Sequence, residues 1–254
     1  MRPMHLIVAV AALFAAPAQA AADCDIAAAV DAWAADWSRR DAAQLHADAA
    51  FELQVTDTGE SFRVELPRQG TGRVVAATGA DYATRFSAPR DVYCDIASGR
   101  MNILTTLGQA RPSDPTPMAV DIGAGYKDRV RSELIPAWFH FFATGAPEIV
   151  KFGFGHGRQV HGGHAVPLYY GEGLRTAWYG LKPGMHVNRD PADQANEFDS
   201  IFVVLAGEVR ARFDGREATV RKGESVFVPA GMRHEFWVDE GEGEFLVIMT
   251  GEGA

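Results

Sequence analysis

His156, His161, His164, His186 and His234 are the side chains of this sequence best suited to chemistry. Imidazole binds divalent transition metals, and several such donors around an open position make a catalytic centre. The spacing supports this only in part. On a strand, His161 and His164 point to opposite faces, because successive side chains alternate. Both reach one metal only if Gly162-Gly163 bends the chain; otherwise the stretch around them is a glycine-rich loop with surface histidines. His234 by itself does not hold a metal against water. The remaining candidates are three amides and a hydroxyl: Asn188, Gln194, Asn196 and Ser200. Amides bind transition metals weakly and hydrogen-bond small ligands well. The chain contains no G-x-S-x-G elbow, phosphate-binding loop or dinucleotide fingerprint.

The elements that must position these groups read as strand and turn from Glu148 onward. Phe213-Asp-Gly215-Arg is a tight Asp-Gly turn between paired strands. Gly223 then turns into a strand, Ser225 to Val228, and Pro229 and Gly231 make a corner that aims His234 inward. The run Gly223-Glu-Ser-Val-Phe-Val-Pro229-Ala-Gly231-Met-Arg-His234 resembles the second motif of the cupin family, G-x5-P-x-G-x2-H, without a gap. Phe202-Val-Val-Leu-Ala-Gly207 resembles the strand that closes the first motif, and Lys182-Pro-Gly184 the turn before it. The resemblance implies an all-β double-stranded β-helix, or jelly-roll, barrel with an interior pocket. It also implies a His-x-His pair, a Glu and the second-motif His around Fe, Mn, Ni or Zn. Here the first motif departs from that pattern. Counting back from Gly207 puts Ser200 at the Glu position and Gln194 and Asn196 near the His positions. Counting forward from Gly184 gives Asp190, Ala192 and Glu197 instead. The expectation is therefore a pocket with no cofactor, or one in which His234 holds a divalent transition metal with His186, His161 or His164.

Upstream the pattern is mixed. Ile26, Ala29, Val30, Trp33 and Trp37 form one stripe of a helix over 25–40. Phe51, Leu53 and Val55 alternate with polar residues, as do Phe62, Val64 and Leu66 beyond the Asp57-Thr58-Gly59 turn, which makes a hairpin. A short strand over Arg73–Ala77 follows, then helices over 89–96 and 100–107, split at Ser98-Gly99. This order, with Phe51-Glu-Leu-Gln-Val-Thr-Asp and Ala97-Ser98-Gly99-Arg100-Met101-Asn102, resembles the sterol carrier protein 2 (SCP2-like) fold, whose members enclose an apolar tunnel. The rival resemblance is to the nuclear transport factor 2-like family, on Trp33-Ala-Ala-Asp-Trp-Ser-Arg-Arg-Asp. Residues 111–125 read as a Pro- and Gly-rich linker. A helix follows over Tyr126–Thr144, kinked at Pro136, and its Trp138, Phe139, Phe141 and Phe142 suit a core or a domain interface. The organisation expected is an α+β domain over 21–122, a linker and aromatic helix over 123–147, and the barrel over 148–254.

The first twenty residues read as a Sec signal peptide. Arg2 is followed by the apolar run Leu6–Phe14 and the small-residue site Ala18-Gln19-Ala20. That run falls short of the ~20 residues of a membrane span. In the oxidising compartment this implies, the two cysteines, Cys24 and Cys94, are expected to pair. A net charge of -9 without a basic cluster argues against nucleic acid. The function expected is a secreted or periplasmic protein that binds a lipid or other hydrophobic small molecule. The alternative is a metal-dependent cupin enzyme of dioxygenase or isomerase type. A third reading is an assembly role, since cupin barrels commonly pair through their outer strands into homo-oligomers.

Overall fold

The computed structural model describes residues 24–37, 45–77, 81–109, 111, 113–143, 145 and 147–254; the proposed signal peptide, 1–20, lies outside them. The first helix, α1 (Ile26–Asp36), starts at Asp25, whose side chain accepts from the Ala28 N–H at 3.0 Å. Its stripe Ile26, Val30, Trp33 and Trp37 is buried. It packs on a five-stranded sheet of β1 (Ala49–Val55), β2 (Ser61–Leu66), β3 (Arg73–Val75), β4 (Thr84–Ala88) and β5 (Ala119–Ile122). The strand order is β3-β2-β1-β4-β5, with β1 parallel to β4 and the other pairs antiparallel. Between β4 and β5 run α2 (Arg90–Ala97) and the short α3 (Ile103–Leu107), which Asn102 caps by accepting from the Thr105 N–H at 2.7 Å. The expected linker thus contains a strand: Ala119–Ile122 pairs with β4, completing the sheet edge. Cys24 and Cys94 are joined in a disulfide that ties the start of α1 to α2, with Cα atoms 5.7 Å apart.

The aromatic segment is not a single kinked helix. Ala124–Arg129 is a 3-10 turn, Val130–Leu134 a π turn, and α4 (Ile135–Phe142) is α-helical. Pro136 lacks an N–H, so it fits only the first turn of an α-helix, and the pitch changes ahead of it. The aromatic side chains of α4 belong to the core of the first lobe. Phe142 meets Trp33 at 4.9 Å and Phe86 at 5.1 Å, and Phe141 meets Phe51 at 5.6 Å, all edge to face. The Trp138 indole donates to Thr84 Oγ1 at 2.9 Å.

The second lobe is a barrel-like pair of sheets. One has the order β13-β10-β15-β8-β7-β6 and the other β12-β11-β14-β9. The strands are β6 (Arg158–Val160), β7 (Gly163–Gly171), β8 (Leu174–Leu181), β9 (His186–Val187), β10 (Asp199–Ala206), β11 (Glu208–Phe213), β12 (Arg216–Arg221), β13 (Ser225–Val228), β14 (His234–Trp237) and β15 (Gly243–Thr250). Their inward side chains, among them Phe202, Phe236, Phe245 and Val247, form a core separate from that of the first lobe. The lobes touch through α3 and α4, and the Phe139 ring of α4 lies 6.2 Å from Tyr169 of β7. Asn102 donates to the Pro167 carbonyl at 2.6 Å, and Arg158 Nε to the Thr105 carbonyl at 2.8 Å. Among the described residues no helix is long and apolar enough to cross a membrane.

Candidate functional site

His234 stands at the start of β14, behind the corner made by Pro229 and Gly231. Gly231 has φ 79°, a left-handed conformation that glycine adopts without steric cost, and the Met232 N–H closes the turn on the Pro229 carbonyl at 3.1 Å. The segment from Asn188 to Ser200 is laced to this corner. The His234 N–H donates to the Gln194 carbonyl and the Gly231 N–H to the Asn196 carbonyl, both at 2.8 Å. The Ala230 N–H donates to Asp199 Oδ1 at 2.9 Å. A clamp from the first lobe holds the outside of the same loop, where Arg111 pairs with Asp190 and, at 3.4 Å, with Asp193.

The imidazole of His234 points inward and is 2% exposed. It lies 5.4 Å from the Phe202 ring and 5.8 Å from Phe236. Its Nδ1 is 3.0 Å from the Met232 carbonyl oxygen. A carbonyl only accepts, so Nδ1 carries the proton, and in the neutral ring Nε2 keeps a lone pair. Burial holds the His234 pKa below the ordinary imidazole range; His161 pushes the same way and the Met232 bond opposes them. Nε2 makes no hydrogen bond to the described residues and is not sealed from solvent.

His161 comes close to His234 because of a turn the sequence only hinted at. Strands β6 and β7 form a hairpin whose two central residues, His161 and Gly162, have φ 56° and 83°. Positive φ at both positions is the tight type I′ geometry. This places His161 at the rim, where its Nε2–H donates to Asn188 Oδ1. Asn188, itself at φ 59°, is 6% exposed. Ser200 points inward from β10 and accepts from Asn196 Nδ2 at 3.2 Å. The structure therefore gathers His234, His161, Asn188, Asn196, Ser200 and the Gln194 backbone at one end of the second lobe.

Two of the other histidines sit on outer faces. His186 pairs in register with Trp237, stacks on that ring at 5.1 Å and bonds Glu235 Oε2 at 2.8 Å. Glu235 and Trp237 alternate with His234 and Phe236, so His186 is across the sheet from His234 and not a partner for it. His164 pairs with Gly180 on β8, the face opposite Tyr179 and Leu181, and meets Phe154 edge to face at 5.4 Å. His156, at the lobe junction, bonds the Arg100 carbonyl through Nδ1 at 2.9 Å.

The apolar walls lie outside the residues that the motifs single out. Phe213 is opposite His234 in register and Met249 opposite Ser200. Both face inward yet remain half-buried, as do Val226 and Met232. Phe202 and Phe236, 4.4 Å apart, form the floor. The signal was present as period-two alternation in Ser200-Ile-Phe202-Val-Val204 and Phe245-Leu-Val247-Ile-Met249.

A transition metal does not fit this donor set. Among the described residues no three His, Cys, Asp or Glu side chains converge. Around His234 stand one imidazole already bonded to Asn188, two amides and a hydroxyl, where Fe, Mn, Ni and Zn favour several imidazole, carboxylate or thiolate ligands.

No curated protein matches this chain. Several solved structures are similar to part of it. The plu4264 protein from Photorhabdus luminescens is 18% identical, with 41% of this chain and 87% of that one covered and a TM-score of 0.36. A Cupin 2 conserved barrel domain protein from Salinispora arenicola is 18% identical, covering 41% and 88%, at a TM-score of 0.35. KdgF from Halomonas sp. is 14% identical, covering 36% and 82%, at a TM-score of 0.32. The family model described as a cupin domain matches residues 179–253, the stretch that carries His234, its bracing loop and the apolar floor.

Proposed function

We propose that this protein binds a small hydrophobic molecule in a well at the His234 end of a closed cupin barrel, and that it does so without a metal. One observation carries the reading. Inward apolar side chains at that end, Phe213, Met232 and Met249, stay half-buried near the His234 imidazole, whose Nε2 makes no hydrogen bond to the described residues. An apolar well with few polar groups is the usual form of a small-molecule site. The test is mass spectrometry of gently extracted protein, together with elemental analysis. Expected are a co-purified organic ligand and less than stoichiometric metal. Stoichiometric metal that disappears in His234→Ala refutes the metal-free part of the reading.

The location we propose is the periplasm or the extracellular space, with cleavage near Ala20. The n-region, apolar core and small-residue site of the first twenty residues support it, as does the Cys24–Cys94 disulfide. Fractionation of expressing cells checks it, and a cytoplasmic full-length protein refutes it. We extend the SCP2-like reading to the first lobe on its helix, meander and paired-helix order. A cavity of about 320 Å³ there, lined by Trp33, Ile96, Met101, Ile103, Phe139 and Phe142, would suit an apolar chain.

A second reading, self-assembly, has its own observation. Phe227 is 58% exposed and Ile201, its register partner, 37% exposed, on the outer face of the six-stranded sheet beside the edge strand β13. An apolar row on an edge invites pairing with a second copy. Light scattering of the unaltered protein and of Phe227→Lys decides it. A monomer in both rules it out.

A further inference from the structure

Resting on the binding reading above, we propose the ligand's chemical class: a neutral aromatic or similarly flat apolar molecule with one O–H group, a phenol or enol, that donates to His234 Nε2. The tautomer sets the polarity. Nδ1–H is spent on the Met232 carbonyl at 3.0 Å, so the group offered to the well is a lone pair. A lone pair asks for a donor. It repels a carboxylate, whose oxygens only accept.

The surroundings narrow the class further. The inward positions of β10, β13, β14 and β15 hold no Asp, Glu, Lys or Arg. An ammonium ligand would therefore lie in the well without a counter-charge, and burying an unpaired charge is costly. Arg175 shares the inward alternation at the end of β8, but it donates to the Gly253 carbonyl and lies over Tyr170 at 4.6 Å and Phe198 at 5.1 Å. Those contacts hold one edge of the guanidinium, while its buried Nε has no hydrogen-bond partner among the described residues, so it is the His234 lone pair that disfavours an anion. The rim adds the exposed Arg216, which pairs in register with Phe213, and amides that are already engaged. Asn196 Nδ2 is used on Ser200 at 3.2 Å, and Asn188 Oδ1 accepts from His161.

A pure hydrocarbon fits the walls but not the imidazole. It would displace water from Nε2 and leave a buried acceptor unmade, a penalty that an O–H avoids. The floor favours a ring: Phe202 and Phe236 pack 4.4 Å apart and His234 packs 5.4 Å from Phe202, so the surface they present to a ligand is aromatic. Low basicity agrees with the geometry, because burial and His161 keep the imidazole neutral and accepting.

Three probes of one shape separate the possibilities: naphthalene, naphthol and naphthoate, each measured by equilibrium dialysis against the whole protein and His234→Phe. Naphthol is expected to bind about tenfold more tightly than naphthalene, the worth of one net hydrogen bond, and naphthoate more weakly than either. In His234→Phe the advantage of naphthol over naphthalene disappears while naphthalene still binds. Naphthoate binding as well as naphthol, naphthol no tighter than naphthalene, or an advantage that survives the substitution overturns the assignment and leaves the binding reading standing. Binding of none of the three overturns both. The ranking on the unaltered protein decides the matter even if His234→Phe does not fold.

Discussion

Gly162→Ala is the sharpest test of how the second lobe holds its rim. Gly162 has φ 83°, and a Cβ built there would lie 2.0 Å from the His186 carbonyl oxygen and 2.7 Å from its carbon. Both atoms are backbone, so no flexible side chain can move aside. Two costs add. A left-handed alanine costs about 1–2 kcal/mol, and forcing β9 away from the turn costs about 1–3 kcal/mol more. The shift also breaks the bond from the His186 N–H to the Gly162 carbonyl at 3.0 Å. The total expected is about 2–5 kcal/mol. Gly215→Ala is the control: φ there is 82°, and nothing lies within 4 Å of the added carbon. It should lose only the backbone part, about 1–2 kcal/mol. Urea unfolding of the two variants beside the parent reads the difference. Because the same turn carries His161 to Asn188, Gly162→Ala should also shift the His234 imidazole resonances, and Gly215→Ala should not. Equal destabilisation of the two variants would refute the close packing of the turn on β9.

Three other perturbations follow from the geometry. Glu133 is fully buried in the π turn, paired with Arg129 and accepting from the His46 N–H at 2.7 Å. Burial alone would raise its pKa, but Arg129 and the His46 N–H outweigh it and hold the carboxyl below its usual range. A folded pKa below the unfolded one gives stability that is present above the unfolded value and lost as pH falls through the folded value. Glu133→Gln should therefore cost about 3 kcal/mol at neutral pH, with the gap to the parent closing as acid titrates the carboxylate; a pH-independent gap in urea midpoints would contradict this. Removing the disulfide by Cys24→Ser with Cys94→Ser opens a separation of 70 residues, and chain entropy puts the loss at about 4 kcal/mol. A denaturant midpoint unchanged from the oxidised parent would show that the link adds no stability. Arg111→Ser, at an exposed clamp, should change global stability by less than about 1 kcal/mol but speed amide exchange across Asp190–Gln194. Unchanged exchange there would mean the Arg111 pairs do not hold the loop.

What the sequence made legible was local chemistry. The corner from Gly223 to His234 needs glycine and proline at fixed places, and the Phe51–Leu66 hairpin announces itself by alternation. What stayed hidden depends on partners far along the chain. Ala119–Ile122 is a strand because β4 offers it an open edge, and four residues in a Pro-rich stretch carry too short a pattern to show that. The face on which His186 lies is set by its register with Trp237, which no spacing within its own segment specifies. His161 was visible as a candidate, but a non-glycine residue at φ 56° has no sequence signature, so its arrival at the rim was not. By pattern Pro136 reads as a kink within a helix, but it sits in the first turn of α4 behind a π turn.

The positions that the cupin resemblance would give to metal ligands have a different use here. Ser200 and Asn196 bond each other at 3.2 Å. The Gln194 and Asn196 carbonyls receive the His234 and Gly231 N–H groups at 2.8 Å. The loop and the corner are joined by these backbone bonds and by the Ala230 N–H donating to Asp199 Oδ1 at 2.9 Å. Such bonds brace His234. The consequence is electrostatic. A cation at that position would attract anions, whereas under the proposed metal-free reading a neutral imidazole with an open lone pair would select a donor.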